Sequence, residues 1–187
     1  MRRLLLPIAL ALPLLATAML VAADGDRPKD VVSFDGTTLV AVARDQQAGG
    51  PVIEFIPAGE DLEAWTRLAS VRVHEQAPGA KELARELVKQ VKANYPQSPV
   101  AISEDPDTDT AVVDFVIWPE DWKFVEFNIF KYYRLDEGPV VAEQYAIRAY
   151  DDTEGFLKNE LKPLRARLLP LMAEEGLRLG EEAEAAR

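Results

Sequence analysis

Three long segments rich in β-branched and aromatic residues follow one another in the second half of the chain, and they constrain its fold strongly. They are Ala111–Trp118, Trp122–Arg134 and Val140–Tyr150, joined by Pro119-Glu120-Asp121 and Asp136-Glu137-Gly138-Pro139. Parallel strands need a crossover of about a dozen residues or more, so connections this short permit only antiparallel pairing. The segments therefore predict three neighbouring strands of an antiparallel sheet.

The first half of the chain adds shorter strands to this sheet. Asp35-Gly36 separates two β-rich runs and is a strong two-residue hairpin signal. These two runs are Val31–Phe34 and Thr37–Ala43. Two further strands are predicted, at Val52–Ile56 and within Trp65–His74.

Two segments have helical periodicity instead. Leu83, Leu87, Val88 and Val91 share one face of a helix predicted over Ala80–Ala93. A second helix is predicted from Glu154 to about Glu175, with Thr153 as its cap and a kink or break at Pro163 and at Pro170.

Together these elements predict an α+β fold, with a single antiparallel β-sheet packed against two main helices. The chain is expected to form one domain over residues 31–176. A flexible lead-in over residues 24–30 precedes that domain, and a polar tail over residues 177–187 follows it.

The N-terminal residues 1–23 are typical of a secretory signal peptide. Two arginines precede an apolar run from Leu4, and small residues follow it, so cleavage after Ala23 or after Ala18 fits the export pattern. The apolar run is also long enough to be retained as a membrane anchor. The segment predicts an exported protein, periplasmic or secreted, with no membrane span once the signal is cleaved.

Composition excludes several functions. A formal net charge of −11 argues against nucleic-acid binding, which requires a basic surface. The chain has no Cys and one His, so we expect no cofactor, no metal and no enzymatic activity. The acidic segment Glu104–Asp109 lacks the Gly and Glu that a calcium loop needs and is interpreted as a hairpin turn. His74 has no evident catalytic partner and is interpreted as a strand-end residue.

Two groups of residues are candidates for a partner surface. Trp118, Trp122, Phe130 and Tyr132 lie around one hairpin and would form a binding patch if exposed, or core if a helix covers them. Lys158, Lys162 and Arg165 form a basic stripe on the closing helix. This stripe could meet an acidic partner or an anionic lipid surface, or could be an ordinary solvated helix face.

The segment Glu54-Phe55-Ile56-Pro57-Ala58-Gly59-Glu60, followed after four residues by Trp65, has the pattern E-[F/Y]-[I/V]-P-x-G-E-x4-W. It resembles a family of small exported bacterial proteins of unknown function, which implies a bacterial envelope protein. In this segment Pro57 and Gly59 are expected to turn the chain, Glu60 or Asp61 to cap a short turn, and Trp65 to anchor it to the core. The order of elements is also similar to a PsbP-like sandwich, by analogy of fold alone.

Three hypotheses for function remain. The favoured one is a non-enzymatic periplasmic accessory protein that binds another envelope or secreted protein, with an immunity protein as a special case suited to an acidic surface. The alternative is a carrier or sensor of a small apolar ligand, bound between sheet and helix. A hydrolase that uses carboxylates alone is ranked last.

Overall fold

The structure is a computed structural model, and it describes residues 31–179 apart from residues 48 and 49. It confirms a mixed α+β fold with a mostly antiparallel sheet. The predicted signal peptide and lead-in lie outside the described residues. The strands are β1 Val31–Phe34, β2 Thr37–Gln47, β3 Gly50–Ile56, β4 Arg67–His74, β5 Val100–Glu104, β6 Thr110–Ile117, β7 Val125–Arg134, β8 Val140–Ala149 and β9 Arg178–Leu179. The helices are α1 Ala80–Asn94, α2 Thr153–Gly155 and α3 Leu161–Glu174.

The nine described strands form one sheet in the order β5-β6-β7-β8-β4-β3-β2-β1-β9. Strands β1–β4 form one antiparallel meander and β5–β8 form a second, because each strand pairs with the next along the chain. The two meanders join where β4 pairs with β8, in a register that runs from Arg67 opposite Ile147 to His74 opposite Val140. The sheet curls into a half-barrel.

Helices cover both faces of the sheet in its second meander. Helix α1 packs on β5, β6 and β7, and its buried residues Ala84, Leu87 and Val91 contact a cluster that includes Phe115 and Phe130. We call this side the α1 face. Helix α3 packs on the opposite side of β6 and β7, where Leu168 and other α3 residues join the larger core cluster. We call this side the α3 face.

The closing helix differs from its prediction in two respects. Asp152, and not Thr153, caps α2, because its Oδ1 accepts a hydrogen bond from the backbone N–H of Gly155 (2.8 Å). A π-helical turn over Phe156–Glu160 then separates α2 from α3. Pro163 has no N–H to offer the carbonyl group four residues earlier, and its ring crowds that carbonyl, so the regular ladder fails just before it. Helix α3 continues through Pro170.

The chain beyond Gly176 contributes to the fold, although the sequence predicted that the domain ends there. Leu177 is buried in the core of the α3 face, and Arg178–Leu179 pair with Val32 and Ser33 of β1. One buried leucine and a two-residue strand give too short a pattern to stand out in a polar segment. The short strand β5 was also absent from the sequence prediction.

In the part of the chain that the structure describes, no helix combines the length and the apolar character needed to cross a membrane.

Candidate functional site

Two of the four candidate aromatics are core residues. Phe130 and Tyr132 are 8% and 6% exposed, and α1 packs over them. Their rings stack on each other, with centroids 6.0 Å apart. For these two residues the alternative of core under a helix is confirmed and the alternative of an exposed partner surface is excluded, since alternate residues of β7 point to the face that α1 covers.

The other two aromatics form a stacked pair in the loop between β6 and β7. The rings of Trp118 and Trp122 lie 5.2 Å apart, centroid to centroid, with 24° between their planes. Trp118 is half-buried against the core of the α3 face, whereas Trp122 is 46% exposed. The φ angle of Trp122 is +53°, a left-handed conformation that a bulky residue rarely adopts. A hydrogen bond from its backbone N–H to the carbonyl oxygen of Pro119 (3.0 Å) holds the turn.

The basic stripe is largely neutralised by neighbouring carboxylates. Arg165 donates two hydrogen bonds to Asp114 on β6, at 2.6 and 3.0 Å. Lys158 pairs with Glu154 one turn earlier. Among the described residues, Lys162 has no ion-pair partner, and it is exposed. The stripe therefore fastens a helix to the sheet more than it presents free positive charge.

A cluster that sequence reasoning missed lies at the same end of the sheet as the tryptophan pair. The guanidinium carbon of Arg148 lies 3.9 Å from the ring centroid of Trp65 and 4.3 Å from that of Phe124. The same guanidinium group forms a buried ion pair with Glu126, with N–O distances of 2.8 and 2.9 Å. The hydroxyl of Tyr150 donates to the backbone carbonyl of Trp65 (2.8 Å). This aromatic cluster fastens the β3–β4 loop to the β6–β7 loop.

The E-F-I-P-A-G-E pattern covers the end of β3 and the start of this β3–β4 loop. The backbone N–H of Glu60 donates to the carbonyl of Pro57 (3.2 Å), and Gly59 has a φ of +91°. Asp61 accepts from the backbone N–H groups of the second and third residues after it, both at 2.9 Å. Trp65 is 5% exposed. The expected turn, the cap by Asp61 and the aromatic anchor are confirmed as structural roles.

A ladder of polar side chains crosses the α1 face beside the aromatic cluster. Ser70 donates to Gln144 (3.0 Å), Gln144 donates to Asn128 (2.9 Å), and Asn128 donates to Glu126 (2.8 Å). Each hydrogen bond satisfies a group that the sheet removes from water, and the ladder ends on the ion pair of Arg148. Polar residues at alternate positions of otherwise apolar strands were the sequence signal for this ladder.

The acidic segment forms the β5–β6 turn, and its carboxylates bind backbone groups. Asp105 accepts from the backbone N–H groups of Asp107 (2.8 Å) and Thr108 (2.9 Å). Asp109 accepts from the first residues of α1 and from the guanidinium group of Arg134 (3.0 Å). Burial favours a higher pKa for the Asp109 carboxyl, but these donors outweigh it and lower the pKa. Within the described ranges, no group of three or more candidate ligands is arranged to hold a metal.

His74 is half-buried at the end of β4. Burial and the neighbouring Arg72 guanidinium lower the pKa of its imidazole. The lowered pKa favours the neutral imidazole.

Glu143 is a buried carboxylate on the α3 face that ties the end of α3 to the sheet. Its Oε1 accepts from the Tyr133 hydroxyl and its Oε2 from the backbone N–H of Leu177, both at 3.0 Å. Burial raises the pKa of the Glu143 carboxyl, although these two donors favour its charged form. A Cβ atom on Gly176 would lie 2.4 Å from Oε2 of Glu143, so a larger residue would displace that carboxylate, and the φ of +68° favours glycine.

A protein-family model matches residues 27–176, well over half of the chain. The chain belongs to this family. It is an uncharacterised family, so membership adds no activity, ligand or partner. A search of the curated proteins finds no match for the chain.

Proposed function

We propose that this protein is an exported, non-enzymatic accessory protein that binds another envelope or secreted protein. Its binding surface is centred on the stacked pair Trp118–Trp122. The observation that carries the proposal is the geometry of Trp122, which is 46% exposed, stacked on a half-buried partner ring and held at a φ of +53°. Large aromatic residues that are fixed before binding are characteristic anchors of protein interfaces.

The support beneath this loop favours a rigid binding surface. Phe124, the last residue of the loop, packs on the guanidinium group of Arg148, which Glu126 and Trp65 hold in place. Fixing a loop before binding lowers the entropy that association must overcome. The net charge of −11 favours a basic partner. For an immunity-like protein, that partner would be a basic toxin.

The buried carboxylates support a non-enzymatic role. Asp114 binds Arg165, Glu126 binds Arg148 and Asn128, and Glu143 binds Tyr133 and Leu177. The hydrogen bonds and ion pairs of each of these carboxylates stabilise the fold. A hydrolase that uses carboxylates alone would instead need two of them facing each other across an open cleft.

The test is affinity capture from native envelope extract with tagged mature protein, residues 24–187, followed by mass spectrometry. We compare the unaltered protein with Trp122→Ala and with Leu135→Ala. Leu135 is the matched control, because it is 48% exposed in a different loop, between β7 and β8. We expect a near-stoichiometric partner that Leu135→Ala retains and Trp122→Ala loses.

A partner that survives Trp122→Ala would move the interface elsewhere, and the absence of any partner would remove the accessory role. In that second case the search would turn to the alternative function, a carrier of a small apolar ligand.

Export from the cell, a bacterial envelope origin and the PsbP-like analogy are parts of the same proposal. The signal-like residues 1–23 support secretion, and the pattern from Glu54 to Trp65 supports a bacterial envelope origin. The antiparallel sheet with helices on both faces supports the PsbP-like analogy. Cell fractionation with N-terminal sequencing tests export. Recovery in the periplasm or medium, beginning at Asp24 or Met19, is expected; an intact N-terminus in the cytoplasm would contradict it.

A further inference from the structure

Strand β5 is one edge of the sheet, and among the described strands it pairs only with β6. The N–H of Val116 donates to the carbonyl of Pro99 at one end of this ladder, and the N–H of Asp105 donates to Thr110 at the other. Hydrogen-bonded positions alternate along an antiparallel ladder, so every second residue of β5 turns its N–H and C=O away from β6. These outward residues are Val100, Ile102 and Glu104.

The side chains of the same three residues lie on the α1 face. Val100 packs against the cluster beneath α1, and Glu104 accepts hydrogen bonds from Arg85 of that helix at 2.7 and 2.6 Å. Ile102 lies between them and is 38% exposed. Lysine and proline commonly protect an edge strand from pairing, and β5 contains neither. The outer side of β5 is therefore suited to bind another strand.

We propose that β5 pairs antiparallel with β5 of a second copy of this chain, about a two-fold axis at Ile102. Ile102 then lies opposite its own copy, and Val100 lies opposite Glu104. This register bonds every outward N–H and C=O of β5, whereas an axis at Ala101 or Ser103 leaves one outward residue of each β5 without a partner in the other. A contact that uses the same surface on both copies closes as a dimer.

Charge complementarity selects a second copy as the occupant. Helix α1 runs antiparallel to β5, because Arg85 near its start binds Glu104 at the end of the strand. Lys92 lies two turns beyond Arg85 on the same side of α1, about 10 Å nearer the Val100 end. It is exposed and has no ion-pair partner among the described residues. The two-fold axis brings Lys92 of the second copy to Glu104, while Arg85 is already matched by Glu104 and Glu82.

The two α1 helices fit on the joined sheet without a clash. Helix α1 packs over β5, β6 and β7, so its axis lies near β6. Neighbouring strands are about 4.8 Å apart, which places the two helix axes about 14 Å from each other. Helices in direct contact are about 8–10 Å apart, so space remains between them. The two Ile102 side chains meet in that space and lose their exposure to water.

The test is analytical ultracentrifugation of purified mature protein from about 5 µM to about 1 mM. At about 0.15 M salt the screening length is about 8 Å, so local contacts outweigh the repulsion between two acidic copies. Ile102→Pro removes an outward N–H and no hydrogen bond to β6, a placement that edge strands tolerate. Ile102→Val is the matched control, because it keeps the N–H and a branched apolar side chain. Circular dichroism checks the fold of each variant.

We expect a reversible dimer with a dissociation constant on the order of 100 µM or below, as a small interface allows. Ile102→Pro should weaken it at least about tenfold, and Ile102→Val by less than about threefold. A wild type that stays monomeric up to about 1 mM overturns the proposal, as does a dimer that a folded Ile102→Pro retains.

A charge exchange tests the register independently of the proline variant. Lys92→Glu and Glu104→Lys each place like charges at both symmetric contacts, so each alone should dimerise about tenfold more weakly. An equimolar mixture of the two restores one native and one reversed ion pair, and it should form mixed dimers more tightly than either variant pairs with itself. Loss of the contact between Arg85 and Glu104 does not produce such recovery. A mixture that associates no better than its components overturns the register.

This self-association is separate from the capture of a partner through Trp122. It is measured on the purified protein alone, so the two proposals fail independently.

Discussion

Glu143 joins the middle of β8 to the residues that follow α3. Its two hydrogen bonds reach Tyr133 on the neighbouring strand and the backbone of Leu177, and Gly176 leaves the space that this contact needs. The carboxylate is 5% exposed, so its charged form loses most of its hydration. Because its pKa is raised, the folded state binds a proton more readily than the unfolded state does.

This raised pKa predicts a pH-dependent stability for Glu143→Gln. Below the ordinary value of 4.5 the carboxyl is protonated in both states and contributes no pH dependence. As the pH rises through the higher pKa of the folded state, the Glu143 carboxyl loses its proton and the folded wild type becomes less stable. Glutamine has no proton to lose, so the stability of Glu143→Gln does not change for this reason. Urea unfolding between about pH 4.5 and about pH 8 should therefore show a stability difference that grows in favour of Glu143→Gln.

The control for this prediction is Glu143→Ala, which leaves the Tyr133 hydroxyl and the Leu177 N–H without an acceptor. We expect it to lower the free energy of unfolding by about 1–3 kcal/mol near pH 4.5, and by less as the pH rises, because alanine does not titrate while the wild type loses stability. A stability difference between Glu143→Gln and the wild type that is constant with pH would contradict the assigned pKa direction.

Among the elements, α3 is held to the sheet by Arg165 as well as by its apolar residues. Its bidentate contact with Asp114 crosses from helix to strand, and Asp114 is only 8% exposed. Arg165→Ala should lower the free energy of unfolding by about 1–2 kcal/mol, since it leaves a buried carboxylate unpaired while nearby solvent softens the loss. Lys162→Ala, on the same helix, should change it by less than about 0.5 kcal/mol. Equal effects of the two substitutions, measured by urea unfolding, would refute a specific role for Arg165.

The start of α1 depends on a residue far away in the sequence. Gly79 supplies no capping side chain, and Asp109 accepts from the backbone N–H groups of Ala80 and Lys81 instead. Asp109→Ala should therefore cost about 1–2 kcal/mol of unfolding free energy, because it removes this cap together with the ion pair to Arg134. Asp107→Ala in the same turn is the control, because the Asp107 side chain accepts no hydrogen bond from α1. The measurement is the thermal unfolding midpoint of each variant. Equal decreases for Asp109→Ala and Asp107→Ala would show that the turn, and not the cap, is responsible.

The sequence predicted elements well where the pattern was long. The apolar period of α1 persists over more than two turns, and the apolar runs of β6–β8 are long and joined by short connections. These elements lie close to their predicted bounds. The sequence predicted contacts between elements poorly. Burial of Phe130 follows from where α1 docks, and the cap on α1 comes from Asp109, so neither depends on local pattern. The cluster around Arg148 likewise requires knowledge that β8 pairs with β4.

At the scale of the whole molecule, the folded part includes at least residues 177–179. A chain that ends at Gly176 should be less stable than one that ends at Leu179, by about 2–4 kcal/mol. The loss combines the burial of Leu177 with the hydrogen bond that its backbone N–H donates to the Glu143 carboxylate. Tryptophan fluorescence during urea unfolding measures this difference, and equal midpoints for the two chains would show that β9 and Leu177 add nothing.

The pairing of β4 with β8 has a consequence for how the chain could be divided. The two meanders are separate stretches of sequence, and α1 packs on the second of them. A backbone cut in the short connection between His74 and Ala80 would leave one fragment with β1–β4 and another with α1 and the rest. Each fragment would then carry part of the sheet with an open edge, β4 in the first and β8 in the second, and β9 of the second fragment would also have to pair with β1 of the first. Folding would become a bimolecular association, and the stability of the reassembled protein would depend on its concentration.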